Sequence, residues 1–551
     1  MAQGWSINAT SDQITFVEAP ANSAAIVVKE YPSATRNVTD VWALGAWSGE
    51  YGYPGEVEFF SDRLVFAGTP AQPQTLWMSE TGNYTSFGKS QPIEDTDSIN
   101  ATINARQVNA IRDLVPLDSL VILTTGGEWK TTGGQDDVLT PTTVGFKPQT
   151  YYGTSNVPSI IIGNTALFVQ NRGYTVRDLG YQFESDGYTG SDLTVFSSHL
   201  LEGKPIREWA YQQVPYSIVW AVREDGVLLA LTYMREQEVV GWTPMEIDGF
   251  VESVCCVPED TEDAVYMIIR REIDGVQRRY VERLSSRLIS DIRDATFLDS
   301  HLTYDGRADG SVFLAISNIG PGGWTNGDLV SISANYGAAS IFTPDSVGDW
   351  IHIYGATEDD MLRIRITEYS AGSVVRGVPH RTVPESLRNV QIYDWGMAVD
   401  TITGLDHLEG KTVGVLGDGY VQAQQVVTDG EITITPAVVV QVGLPYVSDF
   451  ETLEINLPGG ETVRGRNKVV KEVGILVQDS RSIRVGPDAD HLDEIETREA
   501  EGYQSPPDLL TGLTEATISS TWNEGGRVFI RQSDPLPLSI LGVIPNVTLG
   551  E

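Results

Sequence analysis

Short apolar runs of the β kind return along the first half of this chain at a nearly constant interval, and that recurrence limits the fold more than any other feature. The runs DRLVFAG, LVILTTGGEW, TALFVQNRG, SIVWAVREDGVLLALTYM and AVYMIIRREIDG are filled with Val, Ile, Thr, Tyr and Trp. Gly, Asn, Asp and Pro bound them, as they bound strands and hairpins. Their apolar centres lie near Leu64, Val121, Leu167, Val219 and Tyr266, roughly 50 residues apart, a period that belongs to propeller blades. Each centre is followed by a turn and a second strand, as where VWAV turns through REDG into VLLALTYM. Few windows keep an apolar stripe of helical period for three turns. The reading is an all-β chain with a β-propeller-like body, preferred over a string of β-sandwiches.

The pattern changes near Asp305. From Arg307 to Pro379 the residues are smaller and glycines frequent, with half-buried alternation at Leu362, Ile364 and Ile366. This predicts an inserted small β-barrel or sandwich over 306–385, between a first part of the body (1–305) and a return to the body with C-terminal β segments (386–551). The segment from Gly525 to Val547, with Val528, Phe529, Ile530 and Leu536, is expected to be packed.

Composition narrows the function. With 75 acidic against 37 basic residues the net charge is −38, so the surface repels free nucleic acid and anionic lipid. No apolar run approaches the roughly 18 residues that span a membrane, and the start lacks the basic and apolar regions of a signal peptide. Cys255 and Cys256 are the only cysteines; adjacent cysteines rarely bridge, and the apolar flank predicts two reduced, packed thiols.

Candidate chemistry is sparse. The histidines, His199, His301, His352, His380, His407 and His491, form no local His-x-x-x-His pair. DADHLDEIETRE, from Asp488 to Glu499, has acidic residues at Asp488, Asp490 and Glu499 as a calcium loop would. Leu492 stands where a ligand is wanted, however, and Asp493 where the turn glycine belongs. Carboxylates cluster at Glu94, Asp95 and Asp97, at Asp136 and Asp137, and at Glu358, Asp359 and Asp360, without the cleft separation that glycoside cleavage needs being readable from sequence. Neither a nucleophile elbow nor a phosphate loop is present. The expectation is therefore a chain with no catalytic, metal or cofactor residues, and not an enzyme. The aromatic knot around Trp77 and Tyr84 is read as packing.

One longer stretch, VWALGAWSGEYGYPGEVEFFSDRLVFAGTPAQPQTLWMSETGNYTSF from Val41 to Phe87, resembles the tail nozzle proteins of short-tailed bacteriophages, the tail tubular protein B family. GVQRRYVERL, from Gly275 to Leu284, is similar to a string that ends a Trp-rich blade in that family. TGLDHLEGKTV, VGLPYVSDFETL, GPDADHLDEIETRE and GGRVFIRQSDPLPLSILGVIPNV resemble its closing segments, in the same order. The resemblance implies a virion protein made in the host cytoplasm. It implies a homohexameric ring beneath a tail adaptor ring, with fibres or spikes docked outside and genome DNA passing through without specific binding. The alternatives are a carbohydrate-active propeller enzyme and a receptor-binding module of a tail fibre.

Overall fold

The computed structural model describes residues 5–8, 13–16, 45–134, 138–320, 323–335, 341–355, 361–456, 463–495, 509–520 and 522–550. Among them regular structure is β throughout, apart from single 3-10 turns.

Five antiparallel sheets follow one another between Glu56 and Arg283. Each is an up-and-down meander in chain order, four strands in the first four and three in the fifth. Their leading strands are Glu56–Phe60, Ile111–Pro116, Ile160–Ile162, Ile206–Gln212 and Phe250–Glu259. Successive sheets bury apolar faces against each other. Val65, Ala67, Leu76 and Met78 of the first meet Ile111, Leu114, Leu120 and Ile122 of the second. The second and third meet through Val121, Leu123, Ala166 and Phe168, the third and fourth through Leu167, Val169, Val219 and Leu231, and the fourth and fifth through Trp220, Val222, Val265 and Met267.

This stacking explains the sequence texture. A strand covered on both sides loses its alternation, and Leu120–Thr124, Thr165–Val169 and Ile218–Arg223 are buried at every position. At roughly 25 cal/mol per Å² of apolar surface removed from water, these interfaces dominate the stability of the array. The propeller-like body expected from the 50-residue period is present.

Beyond the array a second, barrel-like β unit follows. Its sheet runs Leu314–Asn318, Val330–Ala334, Val374–Pro379, Leu362–Ala371, Trp350–Ile353, Trp395–Thr403 and Glu431–Ala437. Bridges from Leu314 to Ile392 and from Ile316 to Arg388 draw its first strand towards the following chain. The sheet is not confined to 306–385: Trp350–Ile353 is also hydrogen-bonded to Trp395–Thr403, and Trp395 lies in the barrel core. A four-stranded sheet packs beside it, ordered Asp299–Asp305, Val439–Leu444, Thr412–Gly417, Tyr420–Val426.

The last unit is a sandwich. A four-stranded sheet (Ser448–Glu451, Phe529–Gln532, Arg484–Asp488, His491–Glu494) faces a three-stranded one (Leu510–Thr517, Lys468–Ser480, Ser539–Leu549). Val473, Ile475, Val485 and Ile530 fill the space between. Val528, Ile530 and Leu536 are buried, so this part of the C-terminal segment is packed. The outer face of the three-stranded sheet is different: Leu476, Leu513, Leu541 and Ile544 are exposed on it.

Candidate functional site: carboxylates on the leading strands

The leading strands stand beside one another. Glu56–Phe60 contacts Ile111–Pro116, and Ile206–Gln212 contacts Phe250–Glu259. Polar side chains tie the series together. Asp113 accepts the backbone N–H of Ser159 at 2.6 Å, just before the third leading strand. Trp209 donates its indole N–H to the carbonyl of Pro158 at 2.6 Å. Ser253 donates to Glu208 at 2.7 Å across the fourth and fifth.

Acid gathers at the first pair of these strands. Strand alternation puts Glu56 and Glu58 on the side away from Val57 and Phe59, which are exposed. Burial pushes the Glu56 carboxyl up to about 7; neighbouring Asp113 adds to the rise and Arg112 opposes it. Burial also raises Asp113, against the hydrogen bond from Ser159, and Glu58 contributes to the rise. Glu56 is therefore a carboxyl that holds its proton near neutrality beside a second carboxyl, the chemical composition of an acid–base couple. The sequence reading missed both residues. The signal was the acidic alternation in GEVEFF ahead of the apolar run that begins the array.

The residues singled out from sequence have other settings. Asp97 is buried and accepts from Ser90 and Glu94. The carbonyls of Asp95, Asp97 and Ser79 all receive the buried Arg63 guanidinium. This acidic cluster is a loop clasp. Asp136, Asp137, Glu358, Asp359 and Asp360, and Glu499, lie outside the described residues. Asp488 accepts from His491 Nδ1 at 2.7 Å and from the backbone of Asp490 and His491, forming a hairpin turn. His407 bonds the Ser300 carbonyl, His352 is fully buried, and His199 is exposed. Among the described residues no three His, Cys, Asp or Glu side chains stand together as a metal site would require.

The expectation of two packed thiols needs correction. Both cysteines are free, but Cys255 is exposed while Cys256 is half-buried. Neighbours on a strand point to opposite faces, so one thiol turns towards the core and the other does not. Burial pushes the Cys256 thiol up to about 12.

The aromatic stretch proves to be an end piece. Phe66 and Trp77 are cross-strand partners on the face of the first sheet turned away from the second. Trp47 closes over them, 5.0 Å from the Phe66 ring, 5.7 Å from Trp77 and 5.3 Å from Phe87. Tyr84 is partly exposed, against Phe59 at 5.2 Å, and donates its hydroxyl to Asp62 at 2.7 Å.

No family model matches the chain, and no curated protein matches it. Among solved structures it is similar to a luciferin-regenerating enzyme, at 12% identity and a TM-score of 0.19, over 41% of this chain and 89% of that one. It is also similar to a GH32 β-fructofuranosidase of Bombyx mori, at 10% identity and a TM-score of 0.17, over 60% of this chain and 93% of that one. Both of those proteins are enzymes, which stands against the expectation that the chain is not one. Likenesses this distant assign it neither an activity nor a substrate.

Proposed function

We propose that this chain is a subunit of a bacteriophage tail nozzle, a homohexameric ring beneath an adaptor ring that guides genome DNA into the host. The supporting structural observation is the outer face of the last three-stranded sheet. Leu476, Leu513, Leu541 and Ile544 are exposed together there, and contiguous apolar surface rimmed by polar residues marks an association site. The ordered resemblance of Val41–Phe87 and the closing segments supplies the kind of assembly. The net charge of −38 suits a conduit, because acidic walls leave a duplex free to slide where basic ones would hold its phosphates. The test is the mass of the purified full chain in solution. A hexamer that Leu513→Glu and Ile544→Glu dissociate is expected, and a monomer at all concentrations rejects the reading.

A second reading, a carbohydrate-active propeller, is favoured by Glu56 and Asp113 on adjacent leading strands. Cleavage of a host-surface polysaccharide that Glu56→Gln and Asp113→Asn both abolish would establish it, and cleavage unchanged by either would remove it.

A further inference from the structure

The strand Trp350–Ile353 runs through the barrel sheet, and His352 on it is fully buried. Its Nδ1 lies 2.6 Å from Oδ2 of Asp418, which is equally buried. Asp418 occupies the turn between Thr412–Gly417 and Tyr420–Val426, in the neighbouring four-stranded sheet. Its other oxygen accepts the backbone N–H groups of Val438 and Val439, each at 2.9 Å, and its own N–H donates to the Val439 carbonyl at 2.7 Å. One carboxylate thus fastens a barrel strand, a turn of the second sheet and the crossing between the two. His352 Nε2 is buried with no hydrogen-bond partner.

The groups around the pair come from every side. Arg363 is directly across on the adjacent strand, with His380 and Arg381 beyond it. Tyr354 follows just past the end of this strand, Tyr420 lies past the turn, and Arg293 covers the Tyr354 ring at 4.2 Å. Arg293 is in turn held by Asp291 and Asp394, and among the described residues Asp418 is the carboxylate that reaches the imidazole.

We propose that His352 and Asp418 form an acid-sensitive latch between the inserted barrel and the sheet beside it. With a neutral ring, Nδ1–H donates to Asp418 and the bare Nε2 demands nothing. Protonation adds a second N–H at a nitrogen that is buried without a partner among the described residues, where an unmet donor is costly. Burial already holds the imidazole below its ordinary range, although Asp418 pulls the other way. Burial also acts to raise Asp418, but its bonds from His352 and the backbone outweigh this and keep it below the usual carboxylate range. The sign follows. A histidine depressed in the folded state contributes stability that is present above its ordinary value of 6.5 and is lost as the pH falls below it.

Amide hydrogen exchange on the full chain, corrected for intrinsic rates, tests the latch at about pH 7.5 and about pH 5.5. Exchange in Trp350–Ile353 and Thr412–Gly417 is expected to quicken at least tenfold on acidification, with the third and fourth sheets, between Ile160 and Met245, unchanged. His352→Gln keeps a donor for Asp418 without a titrating ring, and its exchange is expected to be flat with pH. Equal quickening in every sheet, or in the Gln variant, overturns the proposal. If that variant fails to fold, the ring resonances of the unaltered protein decide: His352 titrating with an ordinary midpoint while protection persists overturns it, and protonation arriving only with loss of protection supports it.

Discussion

The two ends of the five-sheet array solve one problem with opposite chemistry. Among the described residues every inner sheet is covered on both faces, but the first and fifth each have one face without a neighbouring sheet. The first closes its free face with aromatic bulk, Trp47 lying over Phe66, Trp77 and Phe87. The fifth closes its own with charge. Arg279 and Arg270 meet Glu252, and Arg283 and Tyr266 meet Glu259, as cross-strand pairs around the exposed Ile268 and Val281. Aromatic packing removes large areas from water and makes edge-to-face contacts besides. Exposed ion pairs gain little and are screened by salt. The array therefore has one end capped by aromatic packing over Phe66 and Trp77, with Val57 and Phe59 exposed beside it, and one that is merely wetted.

Trp77→Ala should break this comparison most severely. Removing a buried indole from the sealed end is expected to cost about 3–5 kcal/mol, read as a lower urea midpoint and as faster exchange confined at first to the first sheet. A loss no larger than that of a surface substitution would show that the knot is not a cap.

Arg63→Ala comes next. It strips the carbonyls of Ser79, Asp95 and Asp97 of their buried donor, a loss of roughly 2–3 kcal/mol. The loop from Glu80 to Asp97 should become sensitive to protease, and a loop as resistant as before would refute the clasp.

The two ends should also answer pH with opposite signs. Glu56, raised to about 7 from an ordinary 4.5, binds its proton more readily folded than unfolded. Its contribution is therefore greatest at low pH and fades as the pH rises from about 4.5 to about 7. At the other end the hydrogen bond from Arg279 lowers Glu252, and that from Tyr266 lowers Glu259. Their contributions are present above the ordinary glutamate value and are lost as the pH falls through it. Thermal scans of Glu56→Gln against the unaltered protein across this range should differ in slope, and parallel curves would reject the assignment.

Smallest of all, Arg279→Ala should barely move the melting temperature, and any effect should vanish in about 1 M salt. A large, salt-resistant loss would mean that the fifth sheet is sealed as firmly as the first.

The repeating part of this architecture was legible because its pairings are local. Each sheet is built from consecutive strands, so the apolar runs near Leu64, Val121, Leu167, Val219 and Tyr266 carry their own topology. The later units pair residues far apart, as Asp299–Asp305 does with Val439–Leu444, and no local pattern encodes such a partnership. For the same reason Trp395, which falls in the expected return to the body (386–551), turns out to lie in the core of the barrel-like unit. Glu56 and Asp113 were hidden differently. In a chain this acidic a carboxylate carries little information until a strand shows which face it occupies. Trp77, by contrast, was read correctly as packing, since nothing near it offered a reactive group.

Cys255 and Cys256 turn the wetted end into a built-in kinetic gauge. Thiolate is the species that alkylates, so an exposed thiol reacts while a neighbour pushed up to about 12 stays silent. Cys256 packs towards the fourth sheet and gains reactivity only when the fifth sheet lifts away. The ratio of the two modification rates within one dipeptide reports how often that separation occurs, with Cys255 serving as the internal standard.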